Sequence, residues 1–490
     1  MLRPRLGAAS GGRGPHPNRL EALVTEFVNW LYRVGVYGFA LAGVTGGLFW
    51  LSRPDSDGRQ WVAKARNNYF GYWLVGVAFL AQFISVGSQN YMIGSFTRPM
   101  TEELDWSRSE FVLARSIGQF IMALTGFFIG GYVDKHGGAR LMRTGAFVLA
   151  GATFMCGYVQ ELWQWWLLNG LVVTSGAAMI GNLVVNVTLS KWFVEKRGRV
   201  ASFAAMGVSY AGVALTPLSA TLVDAVGWRT AWHVLAVGVL AVIFPLSFAM
   251  RRAPEDYGLH PDGKSREQIA AGGGRAAAAD FARSFTRQQA LRTRSFYLIV
   301  FGFGFGALSI GVMLVQTVPF MEDAGYSRKV GAGMILLTSV PSLLSKPVWG
   351  WLIDFASAQR LSLIGFSINA VSLVVIVVAV RNHADLAVVA GFFLLGLGWG
   401  GLIPLQEVVW ASYFGRRYLG AVRSAGLPFA LIIGASSPFL TSFYFDRVGN
   451  YDGAFFTVAA LAVVAIVLVS LAKQPEGRAE EQPAEVAAAQ

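Results

Sequence analysis

Lys346 lies in an apolar run, residues 330–353, eight positions before Asp354. Glu407 lies in another, residues 385–412, eight positions before Gly415. A charge at mid-depth in hydrocarbon costs about 2.5–3.5 kcal/mol or more, so it persists where it is paired or where it works. At about 1.5 Å of rise per residue, both charges sit about 12 Å inside their helix ends, at matched depth. Two readings of the pair follow. In one, Lys346 binds an anionic substrate while Glu407 carries a proton or releases the lysine. In the other, the two form a static ion pair that braces two helices. Polar side chains able to shape a cavity around them are Gln89, Asn90 and Tyr91 early in the chain, Asn182 and Asn186 in the fourth run, and Gln316 and Gln406 later. Each serves equally well as an interhelical hydrogen bond worth about 0.6–2 kcal/mol. Arg115 stands about 28 Å from Asp134 by helix rise, near the outer surface, where snorkelling to headgroups competes with a functional role.

The elements that must hold these residues follow from composition. Of 490 residues, 54% are hydrophobic and 14% charged, against about 25% charged in soluble domains. So few charges cannot cover a soluble fold of this length, which leaves an all-α, polytopic membrane protein. With roughly 20 residues needed per crossing, twelve candidate spans lie near 70–96, 109–131, 142–160, 164–189, 200–222, 231–250, 296–320, 330–353, 361–380, 385–412, 421–444 and 453–472. They group as an N-terminal six-helix bundle over 69–250 and a C-terminal one over 295–472. A polar linker covers 251–294, and a tail over 473–490 is rich in Ala, Glu and Pro, a composition typical of disorder. Within 1–68, the stretch 34–51 is apolar between Arg33 and Arg53. A thirteenth span, an interfacial or re-entrant segment and an over-extended start are the three readings of it. A cleaved signal peptide does not fit the long basic leader.

The net charge of +12 is topological. With the central linker and tail inside, internal loops sum to about +15 and external loops to about −4, the asymmetry expected of a multi-pass protein of the plasma (inner) membrane. It therefore marks the lipid bilayer as a partner and not nucleic acid. The single cysteine, Cys156, excludes an intrachain disulfide, and His16, His136, His233, His260 and His383 have no metal-ligand spacing. No cofactor is expected, and without paired catalytic carboxylates or a serine–histidine set an enzyme is not expected either.

The chain also repeats. Gly130-Gly131-Tyr132-Val133-Asp134 after the second run matches Gly350-Trp351-Leu352-Ile353-Asp354 after the eighth at an offset of 220. Trp192-Phe193 matches Tyr413-Phe414 at 221, and Trp228 to Trp232 matches Tyr451 to Phe455 at 223. Asn186 is the repeat equivalent of Glu407. Six-plus-six parallel repeats with a site at their interface are a transporter architecture.

The segment Gly130-x-x-x-Asp134-Lys135-x-Gly137-x-x-Arg140 resembles the loop signature of the major facilitator superfamily, with Gly138 and Ala139 where basic residues are common. Trp106-Ser107-Arg108, Trp192 to Gly198, Gly227-Trp228-Arg229 and Pro254 to Gly263 narrow the resemblance to the monocarboxylate transporter and oxalate/formate antiporter branch. It covers about residues 70–472. It implies alternating access, with Gly130, Asp134, Lys135, Arg140, Gly350, Asp354 and Arg197 in the gating contacts. It also implies that Lys346-Pro347 stands where monocarboxylate transporters carry the arginine-proline that contacts the substrate carboxylate. Lysine lacks the bidentate fork of arginine, and nothing between Ser424 and Tyr444 is charged, which speaks against a small dicarboxylate. The expected function is secondary transport of a small organic anion, a monocarboxylate, by proton symport or anion exchange. A drug or sugar facilitator of the same fold and a membrane receptor or sensor are the alternatives. Gly258 to Ser265 fits the P-loop pattern G-x-x-x-x-G-K-[ST], but that loop works only between a buried strand and a helix.

Overall fold

The computed structural model describes residue 26 and residues 69–475 apart from 270, 271 and 273. The apolar stretch 34–51 and the tail beyond 475 therefore lie outside the described residues. Among those described, the regular structure is helical, with no strand. Helix α1 (Gly71–Glu103) passes through a π-turn at Gly87–Tyr91. It is followed by α2 (Arg108–His136), α3 (Ala139–Met155) and α4 (Leu162–Trp192). The stretch Arg197–Ala249 bends at Gly227, whose φ of 78° and ψ of 158° leave helical space, and so divides into α5 (197–226) and α6 (228–249). After the linker come α7 (Arg294–Asp323), α8 (Arg328–Leu352), α9 (Ala358–Arg381), α10 (Asp385–Phe414), α11 (Leu419–Val448) and α12 (Asp452–Leu471).

Among the described residues, eight helical stretches are long and apolar enough to cross a membrane on their own terms. α3 is 17 residues long. α8 and α11 have their hydropathy lowered by Lys346, Arg423 and several serines; the two cations are buried against other helices, while Val348 and Ile432 of the same helices are exposed. The lipid-like surface is supplied by residues such as Phe120 (69% exposed), Phe128 (68%) and Ile432 (68%). Helix ends are set by local chemistry: Ser107 and Glu110 form a reciprocal capping box at the start of α2, a device worth about 1 kcal/mol.

The two most extensive helix pairs between the halves are α2 with α11 and α5 with α8. They are repeat-equivalent, so one contact is the other rotated about a pseudo-two-fold axis. The linker is not featureless. Its alanine-rich part forms a helix, Arg275–Ala282, as expected of the best helix former, and a second helix follows at Arg287–Leu291. The P-loop look-alike is a surface turn. Asp262 accepts the backbone N–H groups of Val194, Glu195 and Lys196, and Lys264 pairs with Glu195. Asp262 and Lys264 are thus committed to the α4–α5 connection.

Candidate functional site

Lys346 is fully enclosed at the contact between α8 and α5. Its ammonium donates to Ser209 Oγ of α5 at 2.7 Å and approaches Ser342 O and Oγ at 3.3 Å. No carboxylate among the described residues pairs with it, and its exposure is 2%. An ammonium held only by hydroxyl and carbonyl oxygens in a low-dielectric place is a costly arrangement unless an anion joins it.

Glu407 does not pair with Lys346. The sequence reading that coupled these two is corrected here: the carboxylate forms its ion pair with Arg423 of α11, and all three side chains are buried. The Asn186 carboxamide of α4 sits beside the same carboxylate, although its nitrogen stops short of a well-formed hydrogen bond. Asn186 Oδ1 in turn accepts from Gln82 Nε2 of α1 at 3.0 Å. A polar row therefore crosses the molecule from α1 through α4 to α10 and α11. Asn186 and Glu407 are repeat equivalents, and equivalent positions that meet must lie on the pseudo-two-fold axis.

The other candidates scatter. Asn90 donates to its own helix at Val86 O, 3.3 Å away. Tyr91 packs its ring where a Gly212 side chain would stand, and its carbonyl accepts from Thr216. Asn182 follows the break in α4 at Gly181 (φ −83°, ψ −160°), with an Oδ1 that has no protein partner. Gln316 Nε2 donates to Ser442 of α11 at 2.8 Å, an interhelical bond within the C-terminal half. Gln406 is partly buried, next in sequence to Glu407.

Of the residues expected to gate, Gly130 with Asp134 and Gly350 with Asp354 form two matched sets at the helix ends beside the linker, the side that the charge bias assigns to the cytoplasm. Asp134 pairs with Lys191 at 3.0 Å and accepts the Ala421 N–H at the start of α11 at 2.7 Å. Its repeat equivalent Asp354 pairs with Arg199 at the start of α5. Each aspartate thus ends one helix and holds the positive N-terminus, or a basic residue there, of a helix in the opposite half. Gly130 and Gly350 let these helices meet: a Cβ on Gly130 would stand 2.2 Å from Gly420 O, and one on Gly350 2.4 Å from Ser202 Oγ. Arg197 is buried, donating to Ser190 O and pairing with Asp280 of the linker helix at 3.0 Å. Arg416 bonds Lys191 O across the halves and pairs with linker Glu255 at 2.6 Å. Lys135 and Arg140 are exposed and make no ion pair among the described residues.

Arg423, Lys191, Gln82 and Ser209 are the site residues that the sequence reading passed over. Arg423 had a legible signal. Glu407 lies eight residues before the turn at Gly415 and Arg423 eight after it, and residues equidistant from a tight hairpin turn share a depth. Ser209 had none, because serine is ordinary in any membrane helix.

The sequence matches the family model described as Major Facilitator Superfamily over residues 78–427. It is 22% identical over 401 residues to an uncharacterised MFS-type transporter, YcxA, of Bacillus subtilis (strain 168), covering 81% of this chain and 92% of that one. It is 26% identical over 358 residues to the oxalate:formate antiporter of Oxalobacter formigenes, covering 71% and 78%. The fold is similar to that of the proton:xylose symporter XylE bound to 6-bromo-6-deoxy-D-glucose, with a TM-score of 0.70 at 11% identity over 84% of this chain and 97% of that one. Paired halves, aspartate-held helix ends and a family match that spans most of the helical core agree that this chain belongs to the major facilitator superfamily.

Proposed function

We propose that this multi-pass membrane transporter moves a small organic anion, a monocarboxylate, across the plasma membrane by proton symport or anion exchange. The observation that carries the reading is Lys346: a buried cation between the two halves, ringed by the oxygens of Ser209 and Ser342 and lacking an acidic partner among the described residues. A carboxylate placed there would complete the pair and would contact α5 and α8 together, the two helices whose separation must alternate. Glu407 is already neutralised by Arg423, so it does not compete for Lys346. The printed name of the oxalate:formate antiporter adds support of the same kind, while the likeness to the xylose symporter is one of fold.

Purified protein in proteoliposomes tests this. Uptake of ¹⁴C-labelled formate, acetate, L-lactate and oxalate is measured with an inward proton gradient and, separately, after preloading with unlabelled anion. The expected result is accumulation of a monocarboxylate that neutral xylose does not inhibit. Lys346→Gln should lower it roughly 30-fold or more, the scale of a lost charge-assisted hydrogen bond of about 2–3 kcal/mol, and Lys346→Arg should retain part of it. Unchanged uptake in Lys346→Gln removes the anchor role. Inhibition by xylose points to a sugar facilitator, and binding without accumulation to a receptor.

A further inference from the structure

The linker supplies the carboxylates for two buried arginines. Arg197, at the start of α5, is 5% exposed, and Arg416, in the turn between α10 and α11, is 6% exposed. Both converge on the C-terminal end of α4. Arg197 Nη2 donates to Ser190 O at 3.0 Å, and Arg416 Nη1 donates to the next carbonyl, Lys191 O, at 2.9 Å. A helix C-terminus attracts cations, but its partial charge cannot neutralise two guanidiniums, and Lys191 beside them is committed to Asp134. The counter-charges come from the linker, Asp280 on Arg197 at 3.0 Å and Glu255 on Arg416 at 2.6 Å. Neither contact uses the whole fork. Each carboxylate is held through Nη2 alone, and Nε of both arginines is buried without a hydrogen-bond partner among the described residues.

The two linker contacts are crossed. The part that holds Glu255 is built on the N-terminal half: Asp262 accepts the N–H groups of the α4–α5 connection, and Trp192 Nε1 donates to Arg251 O at 3.3 Å. Its carboxylate goes to Arg416 of the C-terminal half. The part that holds Asp280 is built on the C-terminal half: Phe285 N–H donates to Phe414 O at 2.9 Å, and Arg417 N–H to Ser284 Oγ at 3.1 Å. Its carboxylate goes to Arg197 of the N-terminal half. Arg287 spans both halves, donating to Ala421 O and to Phe127 O. Parting the halves on this side therefore takes Asp280 from Arg197 and Glu255 from Arg416 in one movement. It takes Arg416 from Lys191 O as well. Two guanidiniums at one helix end then lose their carboxylates together, and an anion that replaces them lowers the cost of opening.

We infer that Arg197 and Arg416 form a carboxylate-binding site on the cytoplasmic side, occupied in the closed state by Asp280 and Glu255 and taken by a free small carboxylate when the halves open. A free carboxylate meets Nε and Nη2 side by side, the paired geometry that suits a guanidinium; the tethered ones leave Nε unused. Because the free anion binds only where the linker has let go, it favours the cytoplasm-open state by linkage. The linker is in this sense a built-in competitor, and opening becomes easier as cytoplasmic carboxylate rises. The site is separate from Lys346. Ser209, which Lys346 contacts, lies twelve residues further along α5 than Arg197, about 18 Å away by helix rise. What Lys346 binds therefore does not decide what these arginines bind.

The test uses the full chain in phosphatidylcholine nanodiscs, where sodium acetate, the probe, reaches the cytoplasmic face. Ser202 is buried where α5 meets Gly350 of α8, so Ser202→Cys in a Cys156→Ser background, labelled with an impermeant maleimide, reads opening towards the cytoplasm. Labelling is measured with and without Lys346→Gln. Acetate is expected to raise the rate about fivefold with saturation in both, and sodium chloride of equal ionic strength to leave it within about 1.5-fold. Asp280→Asn with Glu255→Gln should raise labelling without acetate and lower the half-effective acetate concentration about tenfold, because the tethered competitors are then neutral. Arg197→Gln with Arg416→Gln should abolish the response. Arg416→Lys, a milder change, should weaken it severalfold, which keeps the inference testable if the double variant folds poorly. A response equal to that of chloride overturns the inference. So does one that vanishes with Lys346→Gln, or a half-effective concentration unmoved by the two linker substitutions. If wild-type uptake of labelled monocarboxylates fails while the acetate response persists, the organic-anion reading falls and this site stands; if uptake is seen and the response is absent, only this inference falls.

Discussion

At the cytoplasmic ends Asp134 reaches the start of α11, Arg199 reaches Asp354 and Arg416 reaches Lys191, each contact joining one half to the other. At the outer ends Glu103 holds Arg229 and Arg381 holds Asp452, each inside its own half. The two ends use the same residue types for different work. Outer ion pairs keep a six-helix unit rigid as it moves. Cytoplasmic ones hold two such units together and must be broken once in each transport cycle. A superfamily transporter needs both, because alternating access is a rocking of rigid halves about a site between them. The recorded contacts describe a state closed towards the cytoplasm, and the linker adds to that closure through Asp280 on Arg197 and Glu255 on Arg416.

The comparison is broken most directly at the glycines. Gly130→Val places a side chain where the Gly420 carbonyl stands. Overpacking of this kind costs about 1–3 kcal/mol, and because it is felt only while α2 and α11 touch, it should favour the cytoplasm-open state by roughly 5- to 150-fold. Cysteine-accessibility labelling from the cytoplasmic side should rise and net uptake should fall at least tenfold; unchanged labelling would show that closure does not depend on this contact. A smaller effect is expected from Asp134→Asn. The amide still accepts the Ala421 N–H, but the charge facing the α11 N-terminus is lost, worth about 0.3–1 kcal/mol, so the labelling shift should be about two- to fivefold. A melting temperature lower than that of Gly130→Val should accompany it, since Lys191 then lies buried without its carboxylate. Smallest of all should be Arg381→Ala. The arginine is 54% exposed and pairs within its half, and such pairs contribute about 0–1 kcal/mol. Labelling should be unaffected and uptake should stay within twofold. A large change here would erase the distinction between the ends.

Much of this was legible in the chain. Sparse charge over long apolar runs specified the helices, and the recurrence of Gly-x-x-x-Asp at Gly130 and Gly350 specified two related halves. That Asp134 and Asp354 would meet a neighbouring helix end was implied by the resemblance of Gly130 to Arg140 to the superfamily's loop signature. The pairing of Lys346 with Glu407 did not survive, for a physical reason. Helix rise gives depth along the membrane normal, and on that axis it set the two residues level. Rise gives no azimuth, and partners are chosen by which faces of which helices meet. Arg423 met Glu407 because α10 and α11 form a hairpin. Lys346 met Ser209 because α8 leans on α5 across the halves.

The sequence alone determined class and repeat and set the expected orientation and depth of each buried charge, since these depend on composition and on spacing along one helix. Only the tertiary structure decided which charges are neutralised and which lack an acidic partner, because that depends on which faces of separate helices meet: Glu407 with Arg423 across a helix hairpin, and Lys346 with Ser209 across 137 residues of sequence. Through that meeting Glu407 became part of the frame with Arg423, and Lys346 was left beside two serines with no acidic partner among the described residues.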